Sequence, residues 1–244
     1  MDGLTTPSGG PADLAATVDE LSSPELVVPR QRGLLTQLAR QATATMPRWR
    51  PTSVIRWAAD TLGEVTPHLA VRELPTLRRH HGGLDGDALA DRLIRNAART
   101  SAGIGAASGG LAAVKWTAPP TLLTAPVLLG AETVAVAAIE VKLIGELHHI
   151  YRTPLPDGAA EQAVALLQSW SQQRGVNPMA GLPVAAVLGT TARNQLRDQL
   201  ARRFGRNLTT LGPLLTGAAA ASYLNQRATR SLGHRLRADL LQLR

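Results

Sequence analysis

The chain has 244 residues, a formal charge of +8 and no cysteine. This length is sufficient to bury a substantial core. The lack of cysteine excludes disulfides, thiolate catalysis and metal sites built from cysteine. Aromatic residues make up only 3% of the chain, so alanine, leucine and glycine supply most of the apolar side chains. A core of such small residues depends on helices that approach one another closely.

The first 30 residues contain four prolines and a Ser8-Gly9-Gly10 cluster. This composition predicts a disordered leader over 1–30, in which only Asp13–Leu21 has the pattern of a short helix. Met1-Asp2-Gly3 has no positive charge, and no apolar segment follows it, so the sequence does not resemble a signal peptide. We therefore expect the protein in the cytoplasm or on the cytoplasmic side of the cell membrane.

Residues 31–82 are predicted to form an N-terminal helical region. Apolar residues recur at helical spacing over 31–46, and Pro51 opens a second helix. A third helix is expected from about Pro67 to Arg79, with Pro75 as a kink or break. The sequence His80-His81-Gly82-Gly83 then indicates a boundary, after which residues 83–244 form the main helical domain.

A long helix capped by Asp85 or Asp87 opens this domain and runs into a stretch of small residues over 101–114. Small residues four positions apart share one helical face and let a second backbone approach. We therefore expect helix packing at five glycines: Gly105, Gly109, Gly110, Gly212 and Gly217.

Residues 120–152 are almost entirely apolar, and amphipathic helices are expected over Ala159–Gln173, Leu182–Arg203 and from about Leu214 onward. No alternating strand pattern persists. The sequence predicts an all-α, compact multi-helix bundle with a long, small-residue-rich apolar helical hairpin and no β-sheet.

Two apolar segments, 116–139 and 207–226, approach the length of a membrane-spanning helix. The first contains Glu132 and several prolines, and the second is only weakly hydrophobic. Three interpretations remain open: a hairpin buried in a soluble bundle, shallow insertion into a bilayer, or a true span. The mean hydropathy of −0.02 argues against several spans.

No motif for a metalloprotease, a P-loop, a nucleophile elbow or a dinucleotide fold is present, so we predict no catalytic residue, metal or cofactor. Glu146 and His149 could share a helix face, but a second carboxylate–histidine pair is missing. Glu132 and Glu140 lie in the apolar segment and are candidate buried carboxylates. Such a group could have a raised pKa, pair with an arginine of the basic tail, or face a packing seam.

The positive charge is concentrated at the C-terminus. Residues 193–244 contain ten arginines and two aspartates, so this segment carries the surplus of the whole chain. A basic region of this kind suits an anionic partner. The candidate residues for binding an anionic surface are Arg193, Arg197, Arg202, Arg203, Arg227 and Arg230.

Three segments resemble the EcsC family of bacterial helical proteins: Asn96–Val114, Leu143–Leu155 and Gly212–Leu240. The spacing from Gly217-Ala218 to Asn225 to Gly233 is the most specific part of this likeness. The Pro/Thr-rich stretch Thr117–Pro126 and the separate N-terminal helices depart from the family pattern. The resemblance implies membrane association and a role in transport, secretion or protein processing, with no agreed catalytic residues.

These observations favour a non-enzymatic, membrane-associated accessory protein that binds anionic lipid through its basic C-terminal region, with a membrane protein as a further candidate partner. One alternative is a nucleic-acid-binding protein, although the chain lacks a helix-turn-helix signature and aromatic stacking platforms. Another is a soluble helical enzyme with an unrecognised site.

Overall fold

The computed structural model describes residues 11–21, 27–45, 51–115, 125–174 and 218–243. Every regular element in these ranges is helical, and the helices pack together as a bundle, which confirms the predicted all-α fold. A single 3₁₀ turn, Thr66–His68, follows α3. The α-helices are α1 (Pro11–Leu21), α2 (Val28–Thr45), α3 (Pro51–Val65), α4 (Leu74–His80), α5 (Gly86–Lys115), α6 (Ala125–Tyr151), α7 (Ala159–Gln173) and α8 (Ala218–Gln242).

Helix α6 is the centre of the bundle. It contacts each of the other described helices, and every residue from Thr133 to Leu147 is buried. A helix surrounded on all sides needs apolar residues on all of its faces, rather than along one stripe. This requirement explains the nearly continuous apolar sequence of the segment, because the other helices surround it.

Helices α5 and α6 pack against each other as the long apolar pair expected from the sequence, while α5 makes its most extensive contact with α8. Among the described residues, no helix is both long enough and apolar enough to cross a membrane. Of the two candidate segments, 116–124 and 207–217 lie outside the described residues, as does the helix expected over Leu182–Arg203.

Of the predicted leader over 1–30, the structure describes residues 11–21 and 27–30. Residues 11–21 form α1, which places Leu14, Val18 and Leu21 in the core. These residues have the spacing of one helical face, and their burial provides the free energy needed to order the segment. The one short helix expected around Asp13–Leu21 is therefore present and extends to Pro11.

The predicted helix from Pro67 to Arg79 is also corrected. The chain forms the 3₁₀ turn, then an extended stretch, and α4 begins only at Leu74. Pro75 lies in the first turn of α4, where a missing N–H costs no hydrogen bond, so it starts a helix instead of kinking one. At the other end, Gly82 takes a φ of 65° and the Gly83 N–H donates to the Arg78 carbonyl oxygen at 2.8 Å, which closes α4.

The N-terminal helices share a core with the rest of the chain. One continuous hydrophobic cluster extends from Leu14 of α1 through Leu62 of α3 and Ile144 of α6 to Leu240 of α8. The turn at Gly82 and Gly83 thus separates two helices within one packed unit.

Candidate functional site

Four charged side chains lie along the buried helix α6: Glu132, Glu140, Lys142 and Glu146. An isolated charge in an apolar interior is costly, so each needs partners. The structure provides different partners for each one, and these partners come from elements far away in sequence.

Glu140 is completely buried, and four donor contacts to its carboxylate are described. Its Oε2 accepts from the Trp170 indole Nε1 at 2.9 Å and from the Arg174 Nε at 3.2 Å. Its Oε1 accepts from a second Arg174 nitrogen and from the Thr229 hydroxyl at 2.8 Å. The carboxylate is therefore neutralised by a guanidinium and hydrogen-bonded on both oxygens, which is the condition for tolerating a buried charge.

The network continues to α5, because the Ser101 and Thr229 hydroxyl oxygens are 3.0 Å apart. A threonine hydroxyl has one proton. If Thr229 gives that proton to Glu140, the proton between the two hydroxyls comes from Ser101. The result is one polar cluster that joins α5, α6, α8 and the end of α7.

Glu132 is half-buried and lies between α5 and α8. It accepts from the Ser108 hydroxyl at 2.6 Å and from the Asn225 Nδ2 at 2.7 Å. Glu146 accepts from the Arg72 Nε at 2.7 Å, and Lys142 pairs with Asp19 of α1. The two candidate carboxylates thus face packing seams, and Glu140 pairs with Arg174, which precedes the basic tail.

These carboxylates do not form a common site. Along an α-helix, Glu132 and Glu140 are separated by about 12 Å of rise, and Glu140 and Glu146 by about 9 Å. Each carboxylate binds its own partners. Within the described part of the chain, no cluster of three histidine, aspartate or glutamate residues could hold a metal ion. The described contacts are those of a stabilising framework, because each buried charge on α6 is hydrogen-bonded or ion-paired by side chains of neighbouring elements.

The seam between α5 and α8 is unusually close. A Cβ atom built on Gly105 would lie 2.7 Å from the backbone of Ala221 and 2.8 Å from the Asn225 Nδ2. One built on Gly233 would lie 2.7 Å from the Ile94 Cγ1. Real Cβ atoms essentially never approach other atoms this closely, so a larger residue would have to displace the α8 backbone at Gly105 or the Ile94 side chain at Gly233.

The contacts of the other four glycines predicted for helix packing are not described. Gly109 and Gly110 lie in α5, in a part whose side-chain surroundings are not described, and Gly212 and Gly217 lie outside the described residues. Gly233, which the predicted set omits, carries the second close contact. Its signal was present in the sequence as an isolated glycine inside a helical pattern.

A second polar cluster fixes the other end of the α5–α8 seam. The Arg237 guanidinium on α8 contacts Asp91 at 2.6 Å and Asp87 at 3.5 Å. The Tyr151 hydroxyl at the end of α6 donates to Asp87 at 2.6 Å. Burial, together with this hydrogen bond to a carboxylate, raises the pKa of Tyr151 above its usual range, so the hydroxyl keeps its proton.

Two histidines near the ends of α4 and α6 are also perturbed. Burial is the main cause that lowers the pKa of His148. Burial, then repulsion from Arg72 and Arg92, lowers the pKa of His81. One ring nitrogen of each, His148 Nδ1 and His81 Nε2, is buried without a hydrogen-bond partner in the described structure. Both environments favour the neutral imidazole.

The inward face of α8 is therefore held in place, and its opposite face is exposed. This outer face of α8 consists of Tyr223, Arg227, Arg230, His234, Ala238 and Leu241. No described acidic side chain pairs with Arg227 or Arg230. Arg235 at the edge of this face donates to the Gln173 carbonyl oxygen at 2.6 Å and so caps α7.

Two of the six predicted surface-binding arginines, Arg227 and Arg230, are thus placed together on this exposed face. The other four, Arg193, Arg197, Arg202 and Arg203, lie outside the described residues. Tyr223 and Leu241 are additional members of the face that charge counting alone could not identify. Their signal was their spacing relative to the arginines.

Comparison of the chain with models of protein families, with curated proteins and with solved structures finds no match.

Proposed function

We propose that the protein is a non-enzymatic accessory protein that attaches peripherally to an anionic membrane surface through the outer face of α8. The observation that carries this proposal is the exposure of Arg227 and Arg230 on one helical face without described acidic partners. Arg227 also donates to the neighbouring Tyr223 hydroxyl at 3.5 Å, a contact that leaves its positive charge uncompensated. Guanidinium groups without an acidic partner attract phosphate and carboxylate head groups. Each basic residue near an anionic bilayer contributes about 1 kcal/mol to binding.

The packing of α8 supports this role. Its inward face is fixed by Thr229 in the Glu140 network, by Gly233 against Ile94, and by Arg237 on Asp91. A helix attached at several points along its length holds the backbone of its outer face in a fixed position. Little backbone entropy is then lost when that face binds.

We further propose that the chain is related to the EcsC family and acts at the cytoplasmic face of the cell membrane, where it supports transport, secretion or protein processing. In the C-terminal segment that resembles the family, two residues of the most specific spacing, Asn225 and Gly233, have identifiable packing roles. Asn225 donates to Glu132, and Gly233 permits the close approach of α5. The anionic lipids of the cytoplasmic leaflet match the positive charge of α8.

The test is co-sedimentation of the full chain with vesicles. Binding should increase with the fraction of phosphatidylserine in phosphatidylcholine vesicles and decrease between about 50 and 500 mM salt, because screening weakens attraction between exposed charges. Equal recovery on neutral and anionic vesicles at low salt would contradict the proposal. Binding to duplex DNA or RNA with higher affinity than to anionic vesicles, measured under the same conditions, would favour the nucleic-acid alternative instead.

A further inference from the structure

The exposed apolar residues of the described chain are concentrated on one helix. Six large hydrophobic side chains are exposed, and four of them belong to α8 or the residue after it. Tyr223 is 57% exposed and Leu224 44% exposed near its start, while Leu241 is 42% exposed and Leu243 74% exposed at its end. Of these four, Tyr223 and Leu241 belong to the outer face of α8, one near each end, and Arg227 and Arg230 lie between them. Leu224 leaves the helix about 100° away from Tyr223, and Leu243 lies beyond the end of α8.

The helical register aligns the two ends. Tyr223 and Leu241 are 18 positions apart, which is about five complete turns, or about 27 Å of helix. Their side chains consequently leave α8 in the same direction. Arg227, Arg230 and His234 follow Tyr223 at positions that lie within about 40° of that direction. One flat surface can therefore contact both ends and the basic centre at once.

This distribution distinguishes a lipid surface from a purely ionic partner. Head groups neutralise the arginines, while tyrosine and leucine side chains prefer the boundary between head groups and acyl chains. We infer that α8 lies parallel to the membrane plane, with Tyr223 and Leu241 entering the head-group and acyl boundary and the arginines between them contacting anionic head groups. This inference rests on the proposed function and specifies how the same face meets the bilayer.

The chain has no cysteine, so a single cysteine can be introduced and spin-labelled without background. Tyr223→Cys and Leu241→Cys provide one label at each end, and Glu64→Cys on the exposed surface of α3 provides a control. The measurement is label accessibility to oxygen, which concentrates in acyl chains, and to a polar nickel chelate, which stays in water. Both are recorded with and without phosphatidylserine-containing vesicles.

We expect labels at 223 and 241 to become more accessible to oxygen and less accessible to nickel on vesicles, with similar depths, while the label at 64 is unchanged. If the variants co-sediment with the vesicles but either end label remains as accessible to nickel as in solution, the parallel orientation is wrong while surface binding stands. If the unlabelled protein does not co-sediment at all, the proposed function itself fails.

A second measurement does not depend on labels. Tyr223→Ser and Leu241→Ser alter exposed side chains, so folding should be retained, and each should lower the vesicle partition coefficient by about tenfold through the loss of apolar contact. Unlike binding through arginines, this component should persist at high salt. Partition coefficients equal to that of the unaltered protein in both variants would overturn the inference.

Discussion

Substitution of Gly105 by alanine tests the close α5–α8 seam directly. In an open helix, a glycine-to-alanine change stabilises by up to about 1 kcal/mol, because alanine has the higher helix propensity. At Gly105 the new methyl group would lie 2.7 Å from the Ala221 backbone and displace Asn225, which donates to Glu132. Overpacking of this kind costs about 1–3 kcal/mol, so the net effect should be a destabilisation of up to about 2 kcal/mol.

Gly33→Ala is the matched control, since Gly33 lies in the middle of α2 and nothing lies within 4 Å of a Cβ built there. It should stabilise the protein by about 0.5–1 kcal/mol. For a chain of this size, 1 kcal/mol corresponds to about 2–4 °C in Tm. The gain in helix propensity is common to both variants, so urea unfolding followed by circular dichroism should separate them by the overpacking cost, about 1–3 kcal/mol. If Gly105→Ala stabilised the protein as much as Gly33→Ala does, the seam would not be as close as described.

Two further changes probe the buried framework. Arg174→Met leaves the Glu140 carboxylate without its guanidinium and should destabilise the fold by about 3 kcal/mol in urea unfolding. Adding Glu140→Gln to this variant should recover part of the lost stability, because the buried charge is removed. If the two changes instead destabilised the fold additively, Arg174 and Glu140 would not be a direct pair. Burial lowers the pKa of His148 in the folded state below its ordinary value of 6.5, so the unfolded chain binds more protons and stability should decrease as the pH falls from about 7 to 5. His148→Gln should reduce this slope in unfolding experiments at several pH values, and an unchanged slope would exclude His148 as a source.

The sequence predicts most of the helices because apolar periodicity and prolines mark their bounds, as at Pro51 and over Ala159–Gln173. Prediction from the sequence is wrong or incomplete where the same amino-acid composition is compatible with two different environments. Over 1–30, prolines and glycines predict disorder around one short helix, and the sequence does not show that Leu14, Val18 and Leu21 of that helix enter the core. A proline such as Pro75 can either start a helix or kink one. The apolar composition of the segment ending at Tyr151 left both a membrane-associated helix and a buried bundle helix open, since both surround a helix with apolar groups.

Some residues of the candidate site could also be predicted from the sequence, and others could not. The exposed arginines of α8 could be anticipated from charge alone, and Gly105 from the spacing of small residues. The partners of the buried carboxylates could not, because Arg72, Arg174 and Asn225 approach α6 only through tertiary packing. Local sequence patterns do not specify which side chains from distant parts of the chain come into contact.

The most direct test of membrane attachment through α8 compares two charge-matched double variants. Arg227→Gln/Arg230→Gln removes the central charges of the outer face, and Arg95→Gln/Arg99→Gln removes two exposed arginines of α5. On phosphatidylserine-containing vesicles at low salt, the first should lower the partition coefficient by roughly 30-fold, equivalent to about 1 kcal/mol for each arginine, and the second should have little effect. Equal partitioning of the two double variants would contradict attachment through the outer face of α8.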